Sequence, residues 1–106
     1  MWRYDANRSA ASPHALPETL HLQWTRQYPK LTPAWPDQPK MQFDAAYEPI
    51  VLGRTMFVAS PLQDCVTALD TRTGEHKWRF FTDGPIRFAP VAWQQRLYFT
   101  SDDGHL

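Results

Sequence analysis

The fold of this 106-residue chain is decided by the stretch ALDTRTGEHKW, which runs from Ala68 to Trp78. It begins as an apolar strand that ends at Asp70, passes through a tight turn closed by Gly74, and enters a second strand that carries Trp78. The short carboxylate of Asp70 can accept a hydrogen bond from a backbone N–H two residues further on. Glycine tolerates the positive φ that a tight hairpin needs. The stretch therefore predicts a β-hairpin.

The residues around this hairpin predict a meander of four short antiparallel strands. Runs rich in β-forming residues alternate with turn signals, such as the two-residue turn Gly53-Arg54 and the breaker Thr82-Asp83-Gly84-Pro85. No segment shows the 3.6-residue period of an amphipathic helix, so the predicted class is all-β. The predicted strands are 49–52, 55–60, 65–70 and 75–81.

Part of this unit returns further along the chain. The pattern of Pro49–Ser60 appears again at Pro90–Ser101, displaced by 41 residues, and Asp103-Gly104 is a second hairpin signal. A period near 40 residues with four strands per period is the size of one blade of a β-propeller. In such a blade Asp70 and Gly74 form a turn, and Trp78 fills the wedge between neighbouring blades.

The first 46 residues do not share the repeat's pattern of short strands and tight turns. Residues 1–19 predict an irregular lead-in, packed by Trp2 and Tyr4. Residues 20–28 alternate between apolar and polar side chains, which predicts a half-buried strand with Leu20, Leu22 and Trp24 on one face.

The segment from Pro29 to Ala46 contains four prolines and predicts a long loop. A loop of that length suggests a covering or functional role. We favour a packed cover over the blade and keep a binding loop as the alternative. The candidate binding aromatics are Trp35, Phe43, Tyr47 and Trp93.

Composition excludes several classes of protein. Eleven basic and eleven acidic residues give no net charge, and no basic stripe marks a nucleic-acid surface. No stretch approaches the ~20 apolar residues of a transmembrane helix. Cys65 is the single cysteine, so an internal disulfide cannot form, and we expect it to be a small buried apolar residue.

The polar residues of the repeat admit structural and chemical interpretations. Asp70 with Glu75 could act as paired carboxylates, and Asp102 with Asp103 could bind a cation, but turn formation is favoured for both pairs. Trp78 could stack on a cofactor, but a structural role between blades is favoured. The four histidines lie at no metal-ligand spacing and are expected to be ordinary strand or surface residues; they are His14, His21, His76 and His105.

Two motifs together resemble the repeat of the PQQ-like β-propellers, the superfamily of the quinoprotein alcohol dehydrogenases and the BamB-like assembly lipoproteins. They are Ala-Leu-Asp-x-x-Thr-Gly-x-x-x-Trp at 68–78 and Ser-x-Asp-Gly-x-Leu at 101–106. The segment Trp2–Ser9 resembles the lead-in to the first blade of such proteins. The resemblance implies an N-terminal fragment of a truncated propeller, with an irregular Pro-rich segment at 1–46, a first blade at 47–88 and the start of a second at 89–106. The strand at 20–28 would lie in the last blade and close the ring.

The resemblance leaves two functions open. The favoured one is a non-catalytic binding or scaffolding module, periplasmic or secreted, whose partner is another protein or other domains of the same protein. The alternative is part of a quinoprotein dehydrogenase that oxidises alcohols or sugars with PQQ and calcium. That enzyme class implies adjacent cysteines near the cofactor, and Cys65 has no neighbouring cysteine. We therefore expect this fragment to contain no catalytic, cofactor-binding or metal-binding residue.

Overall fold

A computed structural model describes Asp5, Asn7 and residues 9–42 and 44–105. Several residues used in the sequence predictions lie outside this described part, namely Trp2, Tyr4, Phe43 and Leu106. Within it the regular structure is β, apart from one turn of 3-10 helix at Pro39–Met41. The strands are β1 (Ile50–Leu52), β2 (Thr55–Ser60), β3 (Cys65–Asp70), β4 (His76–Phe81), β5 (Val91–Trp93) and β6 (Arg96–Tyr98).

The predicted antiparallel meander is confirmed. One sheet has the order β1-β2-β3-β4, and a second contains β5 and β6. Strands β2 and β3 have the predicted bounds, while β1 and β4 each begin one residue later than predicted. Glu75 is left out of β4 because its carbonyl accepts the hydrogen bond of the Asp70 N–H at 2.9 Å and so belongs to the turn.

The first hairpin of each repeat unit has a two-residue turn. Leu52 pairs with Thr55, and Trp93 pairs with Arg96. Gly53 has a φ of 58°, which glycine adopts without strain. The second turn places Gln94 and Gln95 at φ values of 45° and 65°, although neither is a glycine.

The hydrophobic core lies between the two sheets. Its buried members come from β1, β2, β3, β5 and the β4–β5 loop, and they are Ile50, Phe57, Ala59, Val66, Ala68, Ile86 and Ala92. Complete burial of one aliphatic side chain stabilises a fold by about 1.5–3 kcal/mol. Strands β1 and β5 contact each other and hold equivalent places in the 41-residue repeat. Two units that meet through their first strands are arranged as neighbouring propeller blades.

Residues 20–28, predicted to form a strand of the last blade, are not paired as a strand in this structure, and their place in a complete ring stays a prediction. These residues pair with neither sheet, and Leu20 and Leu22 are 73% and 86% exposed. Only Trp24 and Tyr28 of this segment are half-buried. Alternation of apolar and polar residues does not supply the hydrogen-bonded neighbour that a strand requires, and the segment contacts the first sheet through its side chains instead.

The described residues of the Pro-rich segment 29–46 form no strand and only one turn of 3-10 helix, and hydrogen bonds connect different parts of the segment. The Ala34 N–H donates to Asp44 Oδ2 at 2.8 Å, and Gln42 Nε2 donates to the Pro36 carbonyl at 2.7 Å. No helix in the described part of the chain is long and apolar enough to cross a bilayer.

Candidate functional site

The carboxylate of Asp70 organises the β3–β4 turn. Its Oδ1 accepts hydrogen bonds from the backbone N–H groups of Arg72 at 2.9 Å and Thr73 at 3.2 Å. The Gly74 N–H donates to the Asp70 carbonyl at 2.8 Å, and Gly74 has a φ of 72°. Asp70 and Gly74 therefore both adopt the conformation and hydrogen bonds of the predicted turn.

Two cations, one on β4 and one in the β1–β2 turn, also approach Asp70. Lys77 Nζ lies 3.4 Å and Arg54 Nη2 lies 3.6 Å from its Oδ2. The hydrogen bond from the Arg72 N–H, followed by the Thr73 N–H and Lys77, lowers the pKa of Asp70 below its ordinary value of 3.8. All of these partners hold the turn together.

Trp24, which belongs to the segment 20–28, packs against this turn. Its indole Nε1 donates to the Thr71 carbonyl at 2.9 Å. The ring covers Gly74 so closely that a Cβ at that position would lie 2.7 Å from Trp24 Cδ2. Arg26 Nη1 adds a hydrogen bond to the Gly74 carbonyl at 3.1 Å. Glycine is needed here both for its backbone conformation and for the space under the indole.

Tyr28 continues the same segment. Its ring lies 4.9 Å from that of Tyr47, and burial raises the pKa of its hydroxyl, opposed by the charges of Arg26 and Arg79. Arg79 donates to Thr67 Oγ1, which belongs to the face of the first sheet opposite the inter-sheet core. Residues 20–28 therefore approach the first sheet from the side away from β5 and β6.

Trp78 lies on the other side, facing the second sheet. It pairs across the sheet with Ala68, and its ring lies 5.8 Å from that of Phe57. Trp78 lines a groove together with Phe57 and Leu97. The indole is 42% exposed, so this groove is only partly filled. The role of Trp78 between blades stays a prediction.

The second predicted turn is formed by Asp103 and Gly104. Asp103 Oδ1 accepts the His105 N–H at 2.9 Å, its Oδ2 accepts the Asp83 N–H at 3.0 Å, and Gly104 has a φ of 89°. The His105 bond is the main reason that the pKa of Asp103 lies below 3.8. This turn packs tightly against the β4–β5 loop, since a Cβ on Gly84 would lie 2.8 Å from the Asp103 nitrogen.

Asp102 has a role that sequence reasoning missed. Its Oδ2 accepts hydrogen bonds from Arg87 Nε and from Trp35 Nε1, each at 2.8 Å. Arg87 also donates to the Met41 carbonyl at 3.4 Å, and its side chain is only 9% exposed. These contacts, which we call the Asp102 latch, fasten the Pro-rich segment to the β4–β5 loop and the start of the second unit.

The chemical interpretations of the repeat residues find no support in the geometry. Glu75 is exposed, and its Oε2 accepts from the Thr73 hydroxyl at 3.2 Å rather than forming a carboxylate pair with Asp70. Over residues 9–42 and 44–105, no three histidine, cysteine or acidic side chains are grouped to bind a metal ion. Cys65 is buried, as expected, with its Sγ 4.0 Å from Thr67 Oγ1.

The candidate binding aromatics are dispersed. Tyr47 packs on Tyr28 and donates to the Pro29 carbonyl at 3.3 Å, while Trp35 belongs to the Asp102 latch. Trp93 lies on β5 and is exposed. The structure therefore brings no two of Trp35, Tyr47 and Trp93 together in a hydrogen bond or ring contact that it describes.

The fold and the motif contacts define a class of protein. Two repeated antiparallel units meet through their first strands, with a tryptophan directed into the groove between them, and this is a fragment of a β-propeller. The chain belongs to the PQQ β-propeller family, because the family model of the β-propeller domain of glucose, ethanol and alcohol dehydrogenases matches residues 17–102. A search of curated proteins finds no match.

Proposed function

We propose that this chain is part of a non-catalytic propeller that serves as an extracytoplasmic binding or scaffolding module. The proposal rests on the hydrogen bonds that the acidic side chains of the motif make within the chain. Asp70, Asp102 and Asp103 each accept hydrogen bonds from the chain's own backbone or side chains. Side chains engaged in this way hold the scaffold and are not free to bind a substrate.

The cavities of the described part fit PQQ and calcium poorly. PQQ is a planar, polyanionic quinone, so its site would need converging cations or hydrogen-bond donors. The largest groove described, of about 570 Å³, is lined mainly by apolar and aromatic side chains such as Phe80, Leu97 and Phe99. Arg87, a largely buried cation at another cavity, already contacts Asp102. The described residues therefore do not form a site for this cofactor by themselves.

The alternative is a quinoprotein dehydrogenase, and the family match favours it, because the family is described by glucose, ethanol and alcohol dehydrogenases. Under this alternative the cofactor-binding residues would come from other blades. The BamB-like subtype stays a prediction within the favoured proposal.

A cofactor titration separates the two functions. The complete propeller, with all of its blades, is incubated with PQQ and calcium, tryptophan fluorescence reports binding, and oxidation of alcohols and sugars is followed with an artificial electron acceptor. We expect neither saturable quenching nor turnover. Saturable binding accompanied by substrate-dependent reduction of the acceptor would establish the dehydrogenase and overturn the proposal.

We also propose that residues 20–28 close the propeller ring. The contacts of Trp24 with Thr71 and Gly74 support this, because they hold the segment against the first sheet on the side away from β5 and β6. The exposed Leu20 and Leu22 would then pack against strands of the closing blade. A crystal structure of a complete ring with residues 20–28 outside the last blade would contradict it.

A further inference from the structure

A small cavity lies between the Pro-rich segment and the β4–β5 loop, apart from the repeat motif. It is lined by Asp44, Ala46 and Glu48 from the approach to β1, by Ala59 and Pro61 at the end of β2, and by residues 86–89. The space open to the centre of a water molecule is about 10 Å³. That is about the smallest volume that holds one water molecule.

Asp44 gives this cavity a chemical character. The residue is only 2% exposed, and its Oδ2 accepts the Ala34 N–H at 2.8 Å. Its other carboxylate oxygen, Oδ1, is buried and has no hydrogen-bond partner. A buried carboxylate oxygen without a donor is strongly unfavourable, so such groups in folded proteins are paired or hydrated.

Arg87, the cation that lines this cavity, makes no hydrogen bond to Asp44 Oδ1. Arg87 lines the cavity, but its Nε lies 2.8 Å from Asp102 and its Nη1 donates to the Met41 carbonyl. Glu48 adds a second acidic side chain to the lining. The charge at the cavity therefore favours a species that presents hydrogen or positive charge to Asp44 Oδ1.

We propose that the cavity is a binding site for one water-sized species that donates to Asp44 Oδ1, either an ordered water molecule or a small monovalent cation. The bound species joins the Pro-rich segment, which carries Asp44, to the β4–β5 loop. This site does not depend on the proposed scaffolding function, since it follows from the orphaned oxygen and the size of the cavity.

The substitution Asp44→Asn tests the proposal by the sign of its effect. With a species bound at Oδ1, asparagine loses the charge-assisted contact, so the thermal midpoint stays the same or falls. With nothing bound, asparagine removes an unpaired buried charge, and the midpoint rises by at least about 4 °C. Asp37→Asn, at an exposed position of the same segment, is the control and shifts the midpoint by no more than about 2 °C.

A high-resolution crystal structure of the wild-type protein provides a second measurement that does not require a variant to fold. Density within hydrogen-bond or ion-contact distance of Asp44 Oδ1 supports the proposal, and an empty cavity or a protein donor on Oδ1 overturns it. Melting in sodium, ammonium, rubidium and choline chlorides then identifies the species. Stabilisation that depends on the cation and disappears in Asp44→Asn indicates a cation, and equal midpoints in all four salts with density present indicate water.

Discussion

Replacing Gly74 by alanine tests the contact between residues 20–28 and the β3–β4 turn. Alanine would have to adopt a φ of 72°, which costs about 1–2 kcal/mol. Its Cβ would also lie 2.7 and 2.8 Å from two atoms of the Trp24 ring, and overpacking of this kind costs about 1–3 kcal/mol. We expect Gly74→Ala to lower the free energy of unfolding by about 2–5 kcal/mol.

Gly53 provides a matched control. It also has a positive φ, of 58°, but a Cβ there would meet nothing within 4 Å. Gly53→Ala should therefore cost only the backbone part, about 1–2 kcal/mol. Urea unfolding followed by circular dichroism at low protein concentration measures both variants.

A double-mutant cycle isolates the contribution of the indole. In a Trp24→Ala background the steric part of the Gly74→Ala penalty disappears, so the two changes should couple by about 1–3 kcal/mol. Trp24→Phe keeps an aromatic ring over the glycine but removes the hydrogen bond to the Thr71 carbonyl, and it should retain most of this coupling. Equal penalties for Gly74→Ala and Gly53→Ala, together with zero coupling to Trp24, would refute the proposed packing.

Three further predictions concern the second hairpin, the latch and the first turn. Replacing Gln94-Gln95 by Asn-Gly, the residues preferred where both turn positions have positive φ, should stabilise the chain by about 1 kcal/mol in urea unfolding, and a loss of stability would contradict the two-residue turn between β5 and β6. Asp102→Ala should cost about 2–3 kcal/mol and make the segment around Trp35 more sensitive to limited proteolysis, whereas an unchanged cleavage rate would argue against the latch. Because the folded-state pKa of Asp70 is depressed, its carboxylate stabilises the fold at pH values above 3.8, and this contribution is lost as the pH falls below that value. Asp70→Asn should therefore make the free energy of unfolding fall less steeply with decreasing pH on the acid side. An unchanged pH dependence would contradict this.

Local turn chemistry explains why much of the fold could be predicted from the sequence. Asp70 and Gly74 form hydrogen bonds within a few residues, and the run of β-forming residues in 55–60 is bounded by a turn and a loop on either side. The 41-residue displacement then predicts a second turn at Gln94-Gln95, although that dipeptide carries no turn signal of its own.

Contacts between distant residues explain what could not be predicted. Asp102 accepts a hydrogen bond from Trp35, which lies 67 positions away in the sequence. Nothing in the sequence around either residue indicates this hydrogen bond. The alternation in residues 20–28 correctly indicates partial burial of Trp24, but it gives no information on the docking of its ring against Gly74. The chemistry of Asp44 likewise depends on a long-range fold that buries one oxygen and leaves it unpartnered.

The distribution of satisfied and unsatisfied polar groups indicates where function should be sought. A motif that builds a repeat must complete its hydrogen bonds within the chain, because each turn has to be stable in every copy, and the turns at Asp70 and Asp103 do so. The Pro-rich segment lies outside the repeat and is free of that constraint. It carries Asp44, whose unpartnered oxygen is buried, and the partly exposed Trp35, whose indole donates to Asp102. Under the proposed binding function, the partner's site is therefore to be sought on the Pro-rich segment, since the blade's own motif is occupied in forming the blade.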